Sequence, residues 1–239
     1  MAENSGIFIQ SLYLIVSLNN DLMEIIGLSL YVSLSALFIA AIIGLPIGSL
    51  LAIKKFPGSN LINVVISAFM GLPPVVAGLI VYMLLSRSGP LGLLGLLYTP
   101  EAMIVAQSLL IFPIIAALTR QIIESMNGEY DELFRSLKVE TNSKARTLLW
   151  ESRISLLTVL LAGFGRAIAE VGAVMIVGGN IEHSTRTMTT SIQMEISKGN
   201  LELAMALGII LLSLSLGVNF LMHFIKKRYQ LSQGETRDE

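Results

Sequence analysis

Arg166 and Glu170 stand four residues apart in an otherwise apolar run, Ile154 to Val177. No other Asp, Glu, Lys or Arg falls in the apolar runs 25–53, 61–85, 102–119, 154–177 and 203–225. A guanidinium and a carboxylate at i and i+4 share one helix face and can neutralise each other. A lone Arg at the bilayer centre costs roughly 2.5–3.5 kcal/mol on insertion scales, so each member of the pair needs a partner or water. Two readings follow. The pair is a structural ion pair or a clamp to a neighbouring helix, or its face, with Gly165 and Gly172, lies along a path through the membrane. An unneutralised Arg in such a path would hold a passing anion too tightly to release it, so an Arg offset by Glu170 suits a gate or a scaffold. Other chemistry is sparse. The absence of Cys removes disulfides, thiolate nucleophiles and thiolate metal sites together. His183 and His223 are too few and too far apart to define a metal centre. The phosphate-loop pattern Gly-x-x-x-x-Gly-Lys-[Ser/Thr] does not occur. No catalytic residue, metal or cofactor is assigned to the chain.

The elements that carry the pair are membrane spans. Charged residues make up 14% of the chain and hydrophobic ones 54%, against about 25% charged in a soluble domain, and mean hydropathy is +0.74. Five spans are predicted at about 25–53, 61–85, 102–123, 154–177 and 202–225, each at least the roughly 20 residues a bilayer demands. Pro46, Pro73-Pro74 and Pro113 are expected to bend or break their helices. Residues 1–24 form an N-terminal segment in which Ile7 to Leu18, only a dozen apolar residues, reads as an interfacial helix. Residues 226–239 form a tail. Met1 to Asn20 lacks a basic start, so a removable signal peptide is not expected. Twelve basic residues fall at Lys54-Lys55, Arg120 to Arg153 and Lys226 to Arg237, against three (Arg87, Arg186, Lys198) in the opposite loops. The positive-inside rule then puts the amino terminus outside and the tail in the cytoplasm, in a multi-pass protein of the cell membrane. Net charge is −1, and nucleic-acid binding is excluded. An odd span count leaves no two equal halves within the chain, so any pore symmetry requires a second copy or a partner.

One loop concentrates charge. Glu124 to Arg153 carries eleven of the chain's thirty-three charged residues. Asn127-Gly128 is expected to end the third span. Tyr130, Leu133, Phe134 and Leu137 then recur at i, i+3, i+4 and i+7, one helical stripe, with Asp131, Glu132, Arg135 and Lys138 on the other side. Thr141-Asn142-Ser143 supplies cap chemistry for a second helix from about Lys144 into the fourth span. The stripe either docks into a partner's groove, or packs on the protein's own span ends or the headgroups. Among small and polar span residues, Gln107 and Ser108 read as packing positions, Gly44 and Gly48 as a close helix contact, and Gly208 and Gly217 as candidates for a subunit interface. Met188, Ile192 and Ile196 mark a short helical face in the polar Gly178 to Asn200 stretch.

The order of spans and this loop resemble the membrane subunit of an ATP-binding-cassette (ABC) importer of the type I fold. The run Glu132-Leu133-Phe134-Arg135-Ser136-Leu137-Lys138 is similar to that family's Glu-Ala-Ala motif, with Lys138 where the family has glycine and without its closing Leu-Pro. Gly71-Leu72-Pro73-Pro74-Val75-Val76-Ala77-Gly78, Ser86-Arg87-Ser88-Gly89-Pro90-Leu91-Gly92 and the Gly165 to Ala173 run followed by Gly178-Gly179-Asn180-Ile181 resemble the molybdate and tungstate permeases, closest to the tungstate branch. The resemblance spans roughly Ile25 to Arg228. It implies an all-α integral membrane protein of five transmembrane helices, with an interfacial N-terminal helix and a cytoplasmic coupling helix. It further implies a homodimer in the lipid bilayer, two ABC ATPase subunits that hold ATP and Mg, and an external oxyanion-binding protein received by the Arg87 to Pro100 and Gly178 to Asn200 loops. Tyr130 to Lys138 would be the ATPase-coupling loop. A sulfate or other anion permease is the near alternative. A self-sufficient anion channel or secondary carrier is the alternative of a different class.

Overall fold

The computed structural model describes residues 2–17, 20–54 and 56–235. Met1, Leu18, Lys55 and Arg237, which entered the terminal and topology expectations, lie outside the described residues. Regular structure among the described residues is helical: α1 Ala2–Val16, α2 Asn20–Ile53, α3 Ser59–Phe69, α4 Pro74–Leu85, a 3-10 turn Gly92–Leu94, α5 Pro100–Ser136, α6 Thr141–Glu151, α7 Arg153–Ile168, α8 Gly172–Gly178, α9 Met188–Lys198 and α10 Leu201–Glu235. Asn20–Ile53, Pro100–Ser136 and Leu201–Ile225 are each long and apolar enough to cross a membrane. The count is five if α3 with α4, and α6 with α7, are each taken as one span. The protein is thus an all-α, multi-pass membrane protein.

Three expectations about these helices are corrected, and the break expected at Pro73-Pro74 is found. The helix of the third span does not end at Asn127-Gly128; α5 continues through it to Ser136. A mid-helix Gly costs only about 1 kcal/mol against Ala, and the i, i+4 pairs Arg120–Glu124 and Asp131–Arg135 support the helix on either side of it. The segment 130–138 is therefore mostly the tail of α5, not a separate short helix. The second span is two helices, because Pro73 and Pro74 cannot continue α3; Pro74 instead opens α4, where its missing N–H is not needed. Pro46 and Pro113, by contrast, sit within unbroken α2 and α5. Residues 154–177, expected as one helix, instead form two, with Ala169 to Val171 between α7 and α8. Finally, α6 starts at Thr141 with Glu140 as its cap and no side-chain cap bond, so Thr141-Asn142-Ser143 does not cap it. It meets α7 at a 76° elbow. The first and last spans, set at 25–53 and 202–225, belong to the longer helices Asn20–Ile53 and Leu201–Glu235.

The chain divides into two compact units, each gathered from three stretches. The first comprises Met1–Ala36, Pro73–Ser108 and Gly165–Leu216. Its core is built from Val32, Ala77, Met103, Val174, Met188 and Leu207. Helices α4 and α8 touch backbone to backbone: a Cβ on Gly78 would lie 2.7 Å from Ala173 Cα. The N–H of Met188, at the start of α9, donates to Ser29 Oγ of α2 at 2.8 Å. Short α1 keeps Phe8, Ile9, Tyr13 and Val16 exposed. Helix α10 leaves Gly208 with no neighbouring atom within 4 Å and shows Leu212 and Leu216 on its surface.

The second unit comprises Leu37–Leu72, Leu109–Phe164 and Gly217–Glu239. Here α2 and α5 approach closely along Gly44 and Gly48, as small residues four apart permit. A Cβ on Gly44 would lie 2.9 Å from Ile115 Cγ2, and one on Gly48 would collide with the Ala116 carbonyl oxygen and Thr119 Cβ. Gly163 of α7 meets Ile111 and Leu37 in the same way. Because no side chain can be inserted there without moving backbone, Gly48→Ala is expected to destabilise the protein by about 1–3 kcal/mol. Gly27→Ala, whose Cβ meets no atom within 4 Å, should be neutral or slightly stabilising. Thermal unfolding of the two variants in detergent, followed by circular dichroism, reads the opposite signs.

Candidate functional site

Helix α7 stops at Ile168 and α8 begins at Gly172, and the buried backbone groups freed at this break need partners. Side chains from elsewhere in the first unit take those groups. Gln107 of α5 donates from Nε2 to the Ala167 carbonyl at 3.0 Å, and the Glu170 N–H shares that acceptor. Thr189 of α9 donates from Oγ1 to the Glu170 carbonyl at 2.7 Å. The Ala173 N–H, in the first turn of α8, donates to Glu170 Oε1 at 3.1 Å. The other carboxylate oxygen, Oε2, accepts from Arg166 Nη1 at 2.6 Å. Glu170 therefore holds the start of α8 with one oxygen and the last turn of α7 with the other.

The two partners differ in exposure. The Glu170 side chain is 2% exposed and that of Arg166 34%. The pair does not lie on one continuous helix face, since Glu170 falls beyond the end of α7; the break brings its carboxylate round to both neighbours. Gly165 and Ala169 are exposed beside Arg166, and no atom comes within 4 Å of a Gly165 Cβ. Gly172 is different: its missing side chain admits Val75 of α4, whose Cγ2 would be 2.9 Å from a Cβ there. The small residues at the break thus divide into one that keeps a face open and one that admits a neighbour. A buried carboxylate paired at short range and capping a helix makes a rigid junction.

The α9 region adds groups that sequence reading missed. The buried side of α9 is polar apart from Met188, with Thr189, Thr190, Ser191 and Glu195 buried and Ile196 exposed, so the Met188-Ile192-Ile196 face is not the one that packs. Thr187 and Thr190 form a capping box at its start. Buried Glu195 is held by Lys198 Nζ at 3.0 Å and Asn200 Nδ2 at 2.9 Å. The spacing Glu195, Lys198, Asn200 was the available signal for that cluster. Nearby in sequence, His183 Nδ1 lies 2.8 Å from Glu24 Oε2 at the start of α2. The hydrogen bond and charge of that carboxylate, with Glu182 and Asp21 adding charge, raise the His183 pKa above its usual value.

The charged loop forms a second site within the other unit. Phe134 is buried, packed on Ile123 and Leu148, with the Tyr130 ring 6.1 Å away. Lys144 Nζ stands 5.2 Å over the Phe134 ring and 3.0 Å from Asp131 Oδ1, while Asp131 Oδ2 holds Arg135 at 2.8 Å. Lys138 adopts φ +50°, the left-handed conformation that glycine takes at no steric cost. Around it the Val139 N–H bonds the Phe134 carbonyl and the Lys138 N–H bonds the Arg135 carbonyl. That is the Schellman arrangement, completed by Val139 packing back onto the cluster of Phe134. The proposed stripe accordingly splits: Phe134 faces inward and Tyr130 is half-buried, whereas Leu133 and Leu137 are 52% and 65% exposed. Glu132, Arg135, Ser136 and Lys138 share that exposed side.

Comparison with known proteins matches residues 44–231 to the family described as the binding-protein-dependent transport system inner membrane component. A probable anion ABC transporter permease protein of Haloferax volcanii is 44% identical over 84% of this chain and 88% of its own. The tungstate uptake system permease protein TupB of Peptoclostridium acidaminophilum is 39% identical over 92% of this chain and 96% of its own. The protein of the same name from Campylobacter jejuni is 36% identical over 92% of each.

Removing Arg166 leaves Glu170 buried without its cation. Because Arg166 is one-third exposed, the penalty falls below that of a fully buried pair, at about 2 kcal/mol for Arg166→Ala. Arg120→Ala, which opens a surface pair with Glu124, should cost under about 1 kcal/mol; thermal unfolding of the two variants compares them. The His183–Glu24 contact is expected to be complete below pH about 6.5 and to be lost as pH rises through the elevated folded pKa. Amide exchange of residues 181–187, corrected for intrinsic rates, should accelerate across that window, and His183→Ala should abolish the pH dependence.

Proposed function

This chain belongs to the binding-protein-dependent transport system inner membrane components and is the permease subunit of an ABC importer; from that premise we propose that it moves an oxyanion, tungstate before molybdate. What supports the choice of cargo is the likeness, over 92% of the chain, to two permeases named for tungstate uptake. In this reading two copies form the path, two ABC ATPase subunits supply the hydrolysis, ATP and Mg reside on those partners, and an external binding protein delivers the anion. The amino terminus lies outside and the carboxyl tail in the cytoplasm, consistent with the twelve-to-three distribution of basic residues.

The mechanism follows from the two junctions. The exposed Leu133 and Leu137, set by the Schellman turn at Lys138, are the contact offered to an ATPase groove. Phe134 anchors that contact to the permease's own helices, so a pull on the loop reaches α5 and α6 rather than only bending a surface segment. At the other site Glu170 fixes the break between α7 and α8, and the exposed Gly165 and Ala169 leave a face for a second copy or a passing ion. Arg166, neutralised by Glu170, serves there as a gate element and not as a tight anion site. The observation that carries this assignment is the broken span whose backbone groups are met by Gln107, Thr189 and Glu170, a feature tolerated in membranes where it is buried in protein or lines a cavity. A channel or secondary carrier of the same cargo would need no ATPase.

The test is uptake into vesicles holding this chain with its ATPase and binding protein. ATP-dependent accumulation of tungstate, with sulfate a poor competitor, is expected. Leu133→Arg should abolish co-purification of the ATPase and the uptake while the chain still inserts. Phe134→Asp would unseat the core of this loop and so reports folding. Uptake without any ATPase, or unaltered co-purification by Leu133→Arg, overturns the assignment.

A further inference from the structure

The elbow between α6 and α7 borders an open cavity of about 660 Å³ in the second unit. Its polar end is formed by Arg146, Thr147, Trp150 and Arg153. Its remaining walls are Leu45 of α2, Leu149 of α6 and Leu156, Leu157 and Leu160 of α7. No carboxylate lines it. Neither arginine forms an ion pair among the described residues, although three other cations on this stretch of chain do: Arg120 with Glu124, and Arg135 and Lys144 with Asp131. Arg153 donates to the Trp150 carbonyl at 3.0 Å, and its guanidinium stands 5.2 Å over the Trp150 ring. That ring is nonetheless 68% exposed. The elbow is also where a polar helix gives way to an apolar one, the place in a membrane protein where headgroups lie and where tryptophan concentrates.

Each end of the cavity asks for a different half of the same molecule. Two cations without a carboxylate call for an anion carrying several acceptor oxygens, which guanidinium binds in a fork. A small free oxyanion would meet that demand and gain nothing from five leucines. A helix from another protein would cover the leucines but leave the arginines without an anion. We propose that this cavity is a binding site for one anionic phospholipid per chain, its phosphate at Arg146 and Arg153 and an acyl chain along Leu45, Leu156, Leu157 and Leu160. The headgroup replaces the missing counter-ion, and the acyl chain fills the space inside the elbow. The site is independent of the transported cargo and needs only that the elbow lie at a membrane surface.

Trp150 is the only tryptophan in the chain, so its fluorescence reports the cavity directly. The experiment titrates the full chain, purified in detergent, with phosphatidylglycerol or phosphatidylcholine, each brominated on one acyl chain so that contact quenches Trp150. Saturable quenching at roughly thirtyfold lower phosphatidylglycerol than phosphatidylcholine is expected, as about 1 kcal/mol for each of two cations near an anionic surface implies. Arg146→Gln with Arg153→Gln should erase the preference, whereas Arg146→Lys, which keeps the charge, should retain most of it. Arg120→Gln, a cation outside the cavity, should leave it unchanged. Should the double variant fail to fold, the comparison of the two lipids on the unaltered chain still decides. Equal quenching by both lipids overturns the proposal. So does displacement of bound phosphatidylglycerol by millimolar inorganic phosphate or tungstate, which would make this a small-oxyanion site. Quenching that falls as protein concentration rises would assign the cavity to a second copy and equally reject it.

Discussion

A carboxylate with almost no contact with solvent, Glu170, holds together the break between α7 and α8. Inside a bilayer an interrupted helix has no water to satisfy its freed N–H and C=O groups, so each one needs a partner from the protein. Glu170 meets this requirement twice, accepting from the Ala173 N–H and from Arg166, while its own carbonyl is taken by Thr189. Gln107 closes the other side of the gap. Four helices, α5, α7, α8 and α9, are thereby tied to one irregular turn. The pair that looks at first like a charge stranded in lipid is better described as the fastening of a break.

The charged loop obeys a different constraint. In the proposed coupling role it presents apolar residues to a partner's surface without losing its own shape. Phe134, packed with Ile123 and Leu148, supplies the shape, and the turn at Lys138 ends α5 so that Leu133 and Leu137 stay outside. A lysine in the left-handed region costs on the order of 1 kcal/mol. The Schellman hydrogen bonds and the return of Val139 to the cluster offset that cost. The same loop then continues through α6 to an elbow whose inner side carries arginines without carboxylate partners. The proposed coupling site and the proposed lipid site are thus consecutive in the chain, joined by the eleven residues of α6.

Close packing by glycine recurs in both units. Gly44, Gly48 and Gly163 let helices of one unit meet at backbone distance, and Gly78 and Gly172 do so for α4 and α8 in the other. With lipid outside, helices gain no hydrophobic advantage from association, so such contacts rely on van der Waals fit and tolerate no added side chain. Gly165 and Gly208 have no such neighbour within the chain. Their small size is unexplained by packing inside one copy.

The amino-acid sequence alone determined the membrane class, the rough placement of the spans and the family, because length, charge depletion and motif spacing are local properties of the chain. It also placed Arg166 and Glu170 within reach of each other and marked Lys138 as a lysine where the resemblance expects glycine. Only the tertiary structure decided where helices stop. Asn127-Gly128 reads as a break, yet α5 passes through it, while Ala169 to Val171 gave no breaking signal and yet ends a helix. The physical reason is that a break survives only where distant groups receive its backbone, and Gln107 lies sixty residues from the carbonyl it satisfies. Burial is equally non-local. Leu133 and Phe134 are adjacent and both apolar, and what separates the exposed one from the buried one is the position of Ile123 and Leu148, which no periodicity in the loop encodes.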